Sequence, residues 1–441
     1  MSSKGAGAME NEHEEKSALV PRLRFPEFLG AEGWTGEKLG SKTKKVGSGI
    51  TPTGGEKNYK QSGRPFVRSQ NIGWGELLLD EVAFIDEETH NSFSSTQIEV
   101  SDVLLNITGA SIGRSAVADA RIEGGNVNQH VCIIRVKPDE LSPCFLNQYL
   151  ISHDGQKQID SFQAGGNRQG LNFEQIRLIL IPLPAVFTEQ QKIADCLSSL
   201  DELIAAEIQK LDALKTHKKG LMQQLFPREG ETVPRLRFPE FQEEREWEEV
   251  MLGEIAEIKL GKMLDSKKHT TGTLLPYLNN LAVRWNEVNT SNLPKMYFDK
   301  DELDRFGLMD GDVVVCEGGE PGRSAVWGGR LPDLKFQKAV HRVRFKVPFE
   351  PRLLVLFLES IAGTPRLESL FTGGGIKHLT QEVFARLKIP FTTHAEQQRI
   401  SGCLASLDDL IIAQANKIDI FKTQKQGLMQ QLFPVLDEVS A

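Results

Sequence analysis

The chain has 441 residues, 39% of them apolar and 25% charged, with a formal net charge of −8. At roughly 100–200 residues per domain this length holds two to four domains with ample core, and the composition is that of an ordinary globular protein. The negative total argues against a module that grips nucleic acid by bulk positive charge; a nucleic-acid binder of this composition would have to gather its basic residues locally. No apolar run approaches the ~20 residues of a membrane span. Five scattered cysteines, Cys132, Cys144, Cys196, Cys316 and Cys403, form no C-x-x-C pair, so no metal site and no redox motif is suggested. A sparse, odd count fits a reduced, cytoplasmic setting.

In chain order, residues 1–19 read as a disordered N-terminus, because they hold Glu, His and Gly but no apolar core of a signal. A mixed α/β globule over 20–186 opens with VPRLRFPEF at Val20–Phe28. Its β-branched runs predict strands over Ser101–Ile107 and Val131–Val136, separated by glycine-rich turns. A long helix is predicted over 187–227. It follows Pro184, begins at an apparent capping box Thr188-x-x-Gln191, and closes at Pro227. Along it run Leu197, Leu200, Ile204, Glu207, Leu211, Leu214, Lys218, Leu221 and Leu225, a 3.5-residue period that signals a coiled coil. Residues 228–233 are a linker.

The second half repeats the first. VPRLRFPEF recurs at Val233–Phe241, a second globule spans 234–391, and a second helix spans 392–434 with a box at Thr393-x-x-Glu396. A strand is predicted over Asp312–Cys316, and residues 435–441 are a tail. The segments Ser198–Pro227 and Ala405–Pro434 agree at about two-thirds of positions and both end in LMQQLFP. One repeat unit is therefore about half the chain. Between the matching ends only a skeleton survives: Trp74 and Glu76 answer to Trp285 and Glu287, and Gly113–Val117 answers to Gly322–Val326. Fixed ends suggest a shared partner or a mutual interface, and variable middles suggest two recognition surfaces with different targets. The predicted architecture is α+β: two mixed α/β recognition domains joined by two long helices in an antiparallel, pseudo-twofold coiled coil. Its seam is Leu200, Ile204, Leu211 and Leu214 with Leu407, Ile411, Ile418 and Phe421. In that arrangement Glu207 would face Lys425 and Gln414 would face Lys218, fixing the register.

No motif for chemistry stands out, so no catalytic residue is assigned. The strings GASIGRS at Gly109–Ser115 and GGEPGRS at Gly318–Ser324 fall one residue short of a phosphate loop and carry Arg for Lys. Their recurrence at matching places reads as a structural turn with a basic tip. Neither a metalloprotease helix nor a nucleophile elbow occurs, and no Asn-Pro-Pro-aromatic tetrapeptide is present. The turns instead gather amides and cations. In the first half these are Arg68, Gln70, Asn71, Arg114, Asn128, Gln129, His130, Asn167, Arg168 and Gln169. In the second they are Asn279, Asn280, Arg284, Arg323, Lys338, His341, Lys377 and His378. Arg can take guanine through two hydrogen bonds, and Asn or Gln can take adenine; Lys, and Arg at a glycine turn, suit phosphates.

The EQQ-I pattern of Glu189–Ile193 and Glu396–Ile400, the LMQQLFP ends, the PRLRFPEF openings and the G-R-S-A-V turns resemble the specificity subunits of Type I restriction-modification systems. The resemblance covers nearly the whole chain, from about Val20 to Pro434. It implies two target recognition domains, each reading one half of a bipartite, asymmetric site in double-stranded DNA. It also implies helices that dock two methyltransferase subunits, with a restriction subunit as a further partner. S-adenosylmethionine would bind the methyltransferases, and ATP and Mg would serve the restriction subunit; none would bind this chain. The rival readings are a coiled-coil scaffold for proteins alone, and a DNA-modifying enzyme with an unrecognised site.

Overall fold

The computed structural model describes residues 19–163, 170–264, 271–373 and 377–436. They divide into two compact units, one holding the chain up to Ile208 and again from Asn416, the other holding Gln209–Ala415. The division cuts both long helices, so each unit contains part of each.

In the first unit the main sheet is antiparallel, in the order Thr43–Ser48, Val131–Val136, Val103–Asn106, Ser115–Val117. The strand expected from Ser101 starts at Val103. Its apolar run is continuous because both faces are covered. Val103 and Leu105 join Trp34, Phe145 and Ile134 in one core, and Leu104 joins Val67, Ile72 and Ile133 in another. The second unit repeats this with Ala256–Leu260, Val340–Phe345, Val313–Cys316 and Ser324–Val326. There Val313 and Val315 face one core while Val314 and Cys316 face another.

A second sheet in each unit holds a parallel pair, Arg64–Val67 with Asn126–Val127 and Thr273–Leu278 with Lys335–Phe336. The turn into the central strand is also shared. Asp102 accepts the Glu99 N–H and forks with Arg135, as Asp312 accepts the Met309 N–H and forks with Arg344. The preceding residue has positive φ in both, 73° at Ser101 and 83° at Gly311. Only the second copy uses the residue that adopts this conformation without strain.

The long helices run over Phe187–Leu225 and His394–Leu432, 39 residues each. Thr393 caps the second, accepting the Glu396 N–H at 3.4 Å. The box expected at Thr188-x-x-Gln191 does not form. The helix is already under way at Phe187, and the residue aligned with Thr393 is Val186, which has no side-chain acceptor.

The repeated ends have a structural duty. Arg24 forks onto Glu189 at 2.7 Å through both bonds, and Arg237 onto Glu396 at 2.8 Å. Each fork ties a PRLRFPEF opening to an EQQ helix start. Gln190 and Gln397 accept the N–H of Ser142 and Glu350 in turn.

Within the first unit the helix segments are antiparallel. There Lys425 meets Asp201 at 2.6 Å and Lys417 meets Glu207 at 2.5 Å, so numbers rise on one helix as they fall on the other. In the second, Lys218 meets Asp408 at 2.8 Å and Glu359 at 3.1 Å. The expected pairs Glu207–Lys425 and Gln414–Lys218 are not formed; the register is displaced by about one heptad. The reason is desolvation. Lys218 and Lys425 are buried, and an ammonium out of water requires a full carboxylate, which Asp408 and Asp201 supply. Along the seam Ile204 and Ile418 are buried, while Leu200, Leu211, Leu214, Leu407, Ile411 and Phe421 are half-buried.

Candidate nucleic-acid interface

The parallel strand pair places two loop starts side by side, and backbone bonds gather the others. In the first unit the Asn128 N–H donates to Val67 O at 3.1 Å, Ile107 to His130 O at 3.0 Å, and Leu171 to Ile107 O at 2.9 Å. Asn106 Nδ2 donates to Ser69 O at 2.8 Å. Four segments, starting near residues 68, 107, 128 and 170, thus form one loop cluster. The second unit builds the same cluster: Gln337 donates to Leu278 O, Glu317 to Ala339 O, and Leu379 to Glu317 O, at 2.9, 2.9 and 2.8 Å. By this correspondence Arg68, Gln70 and Asn71 match Asn279, Leu281 and Ala282, and Asn128, Gln129 and His130 match Gln337, Lys338 and Ala339.

The expected base-contacting residues divide by where they point. In the first unit Gln70 and Gln129 are exposed, Gln129 touching Thr51 and His130. The Arg68 guanidinium lies 5.1 Å over the Tyr59 ring, donates to Glu81 O and sits 3.5 Å from Glu56. Asn71 is 1% exposed. It accepts the Arg68 N–H and donates to Leu78 O, so it shapes the turn. Asn128 is also buried, its Oδ1 holding the His130 N–H. His130 is half-buried against Thr108. Arg114 is half-buried after Gly113, whose φ is 86°. Asn167, Arg168 and Gln169 lie outside the described residues.

In the second unit Arg284, Lys377 and His378 are exposed. Arg284 is 3.9 Å from Glu287 and Lys377 is 3.6 Å from Glu368. Asn279 holds the N–H groups of Leu281 and Ala282, and Asn280 reaches Gly318 O. Arg323 bonds Glu320 and Asn280 O, bracing the turn from within. Lys338 is half-buried, its N–H on Lys262 O.

His341 departs from the expectation that it belongs to these loops. It is 0% exposed inside the strand Val340–Phe345, and its Nε2 meets Leu379 O at 2.7 Å. Burial pushes its pKa below the usual imidazole value. Its counterpart in the first unit is Cys132, whose thiol burial raises to about 12. The loop position of His130 belongs to Ala339. Sequence spacing alone hid this, because the pairing of residues 335–336 with 277–278 sets the count. That pairing also brings in two residues the sequence reading missed, Gln337 and Leu281.

Among the described residues no group of three or more His, Cys, Asp or Glu is placed to hold a metal ion. No described helix is long and apolar enough to cross a membrane. The two G-R-S strings form hairpin turns beside the clusters, between Val103–Asn106 and Ser115–Val117 and between Val313–Cys316 and Ser324–Val326.

Two α/β units, each presenting a braced loop cluster and sharing two long helices, define a class of duplicated recognition protein. The chain belongs to the Type I restriction modification DNA specificity domain family, which it matches twice, over residues 43–216 and 244–420. A relative from Methanocaldococcus jannaschii, assigned as the MjaX type I restriction enzyme specificity subunit, is 26% identical over 90% of this chain and 92% of its own. The MjaVIII specificity subunit of the same organism is 27% identical over 58% of this chain and 60% of its own. Among solved structures, a chain of a type I R-M system studied for complex assembly and conformational transition aligns with TM-score 0.60 and 18% identity. It covers 91% of this chain and 98% of that one. The S subunit of a Type-I restriction-modification system from M. genitalium aligns with TM-score 0.55 and 15% identity, over 95% and 100%. At these identities the structural likeness establishes the fold.

Proposed function

We propose that the chain is the DNA-reading, non-catalytic subunit of a Type I restriction-modification complex, with each loop cluster reading one half of a bipartite, asymmetric site. The observation that carries this is the recurrence of one backbone cluster bearing different side chains at matching places: exposed Gln70 and Gln129 in one unit, exposed Leu281 and half-buried Lys338 in the other. A shared scaffold gives a shared mode of approach; different tips give different half-sites. In this reading the recognition domains are 20–186 and 234–391, and the helices over 187–227 and 392–434 dock two methyltransferase subunits. The second helix supports a protein-docking role, since Leu410, Ile412 and Ile420 are more than half exposed. S-adenosylmethionine, and ATP and Mg for a restriction subunit, are assigned to those partners, and the complex works in the cytoplasm.

With a net charge of −8, the isolated chain binds DNA weakly, and partners complete a positive channel. The purified chain, alone and with the methyltransferase encoded beside it, tests this by footprinting and methyl transfer. The assembly protects two short segments with an unprotected gap and methylates DNA, its affinity falling by ~0.9 log units per phosphate contacted for each tenfold rise in salt. The chain alone methylates nothing. Methyl transfer by the chain alone, or tight salt-insensitive binding by it, would overturn the proposal.

A further inference from the structure

Gln70 and Leu281 hold the same place in the two loop clusters, three residues beyond Val67 and Leu278, whose carbonyls take the Asn128 and Gln337 amides. A glutamine there has an obvious use, since its amide can bond a base edge. Leu281 has no such use, yet it is 79% exposed, more than any other large apolar side chain among the described residues. Its backbone is fixed: Asn279 Oδ1 accepts the N–H of Leu281 and of the next residue, both at 3.1 Å, and buried Ala282 anchors the turn. Beside it opens a hollow of about 160 Å³, lined by Asn279, Asn289, Ser291 and Asn292. An apolar tip thus stands next to a group of amides on a braced loop.

We infer that Leu281 is a specificity-determining residue that covers the thymine methyl of an A·T pair in the half-site read by the second unit, while an amide beside it faces the adenine. This rests on the reading that the clusters contact base edges. Along the groove edges of unmodified DNA the thymine methyl is the only apolar group, and it lies in the major groove. An exposed leucine at a reading position therefore has one complement, and water is released when the two meet. Of the adjoining amides, those of Asn289 and Asn292 supply the donor and acceptor that adenine N7 and N6 require, since Asn279 Oδ1 is taken up by the turn.

The test uses the full chain assembled with its methyltransferase subunits, on duplexes carrying the host's mapped site. Each thymine of the second half-site is replaced in turn by uracil, which removes only the methyl group. Wild type loses about four-fold in affinity at one position, the worth of one buried methyl. Leu281→Ala binds the thymine and uracil duplexes alike, with unfolding temperature unchanged, since the side chain is so exposed. Leu281→Gln moves preference at that position towards adenine on the strand it faces. Absence of a methyl-sensitive thymine from that half-site, or persistence of the sensitivity in Leu281→Ala, overturns the inference. So does a Leu281→Ala variant that releases methyltransferase subunits while still telling thymine from uracil, which marks a protein contact. If wild type fails to prefer either half-site over scrambled DNA, it is the base-reading proposal itself that falls.

Discussion

His341 and Cys132 hold one strand position in the two units, and both are fully buried. A neutral imidazole can sit there because its Nε2 meets a backbone carbonyl. An imidazolium would have to surrender its hydration. Burial holds the folded pKa below the unfolded value of about 6.5. The unfolded chain therefore takes the proton first. The stabilisation is full above pH ~6.5 and is lost as the pH falls from there through the folded value. Urea unfolding between pH 5 and 7.5 should show wild type weakening on acidification more steeply than His341→Cys, the residue the first unit uses. Equal slopes would mean that His341 carries no such linkage. Single residues were the least legible feature of the sequence. Asn71, Asn128 and His341 have the chemistry to contact bases, but their side chains close turns or fill a sheet, and only backbone pairing separates them from the exposed Gln70 and Gln129.

At the scale of elements the long helices were legible almost residue by residue, because a 3.5-residue apolar period over four heptads is the pattern that a helix seam demands and that strands and turns do not produce. Their register was not. A heptad pattern maps onto itself when slid by seven residues, so apolar positions alone cannot choose between neighbouring alignments. The choice falls to buried Lys218 and Lys425, whose partners Asp408 and Asp201 look in the sequence like ordinary solvated carboxylates. Lys425 is buried while Asp201 keeps 38% of its side chain in water, so the pair lies between a core and a surface bridge. Lys425→Met should cost about 1–2 kcal/mol and Asp201→Asn a similar amount. The double variant should cost less than the two together, because the interaction can be lost only once. Chemical denaturation of the four proteins gives the coupling. Strict additivity would show that this pair does not set the register.

Across the whole molecule, the duplication explains both the constancy and the variation. The repeated ends are fixed because Arg24 and Arg237 fork onto Glu189 and Glu396, a demand of the fold as much as of any partner. The middles drift in sequence because their backbone cluster is held by main-chain bonds, which most side chains satisfy. That is why the skeleton of the loop clusters could be read from matched glycines and strands, while the division of their residues into outward and turn-closing could not. In the proposed function the two clusters read independently. Methylation-site sequencing of cells carrying Gln70→Ala with Gln129→Ala, and separately Lys338→Ala, measures this. Losing one good base contact is worth ~1–3 kcal/mol of discrimination. Each variant should therefore relax positions in one half of the site and leave the other unchanged. A first-unit variant that altered both halves, or a site that proved palindromic and continuous, would contradict independent reading by two clusters.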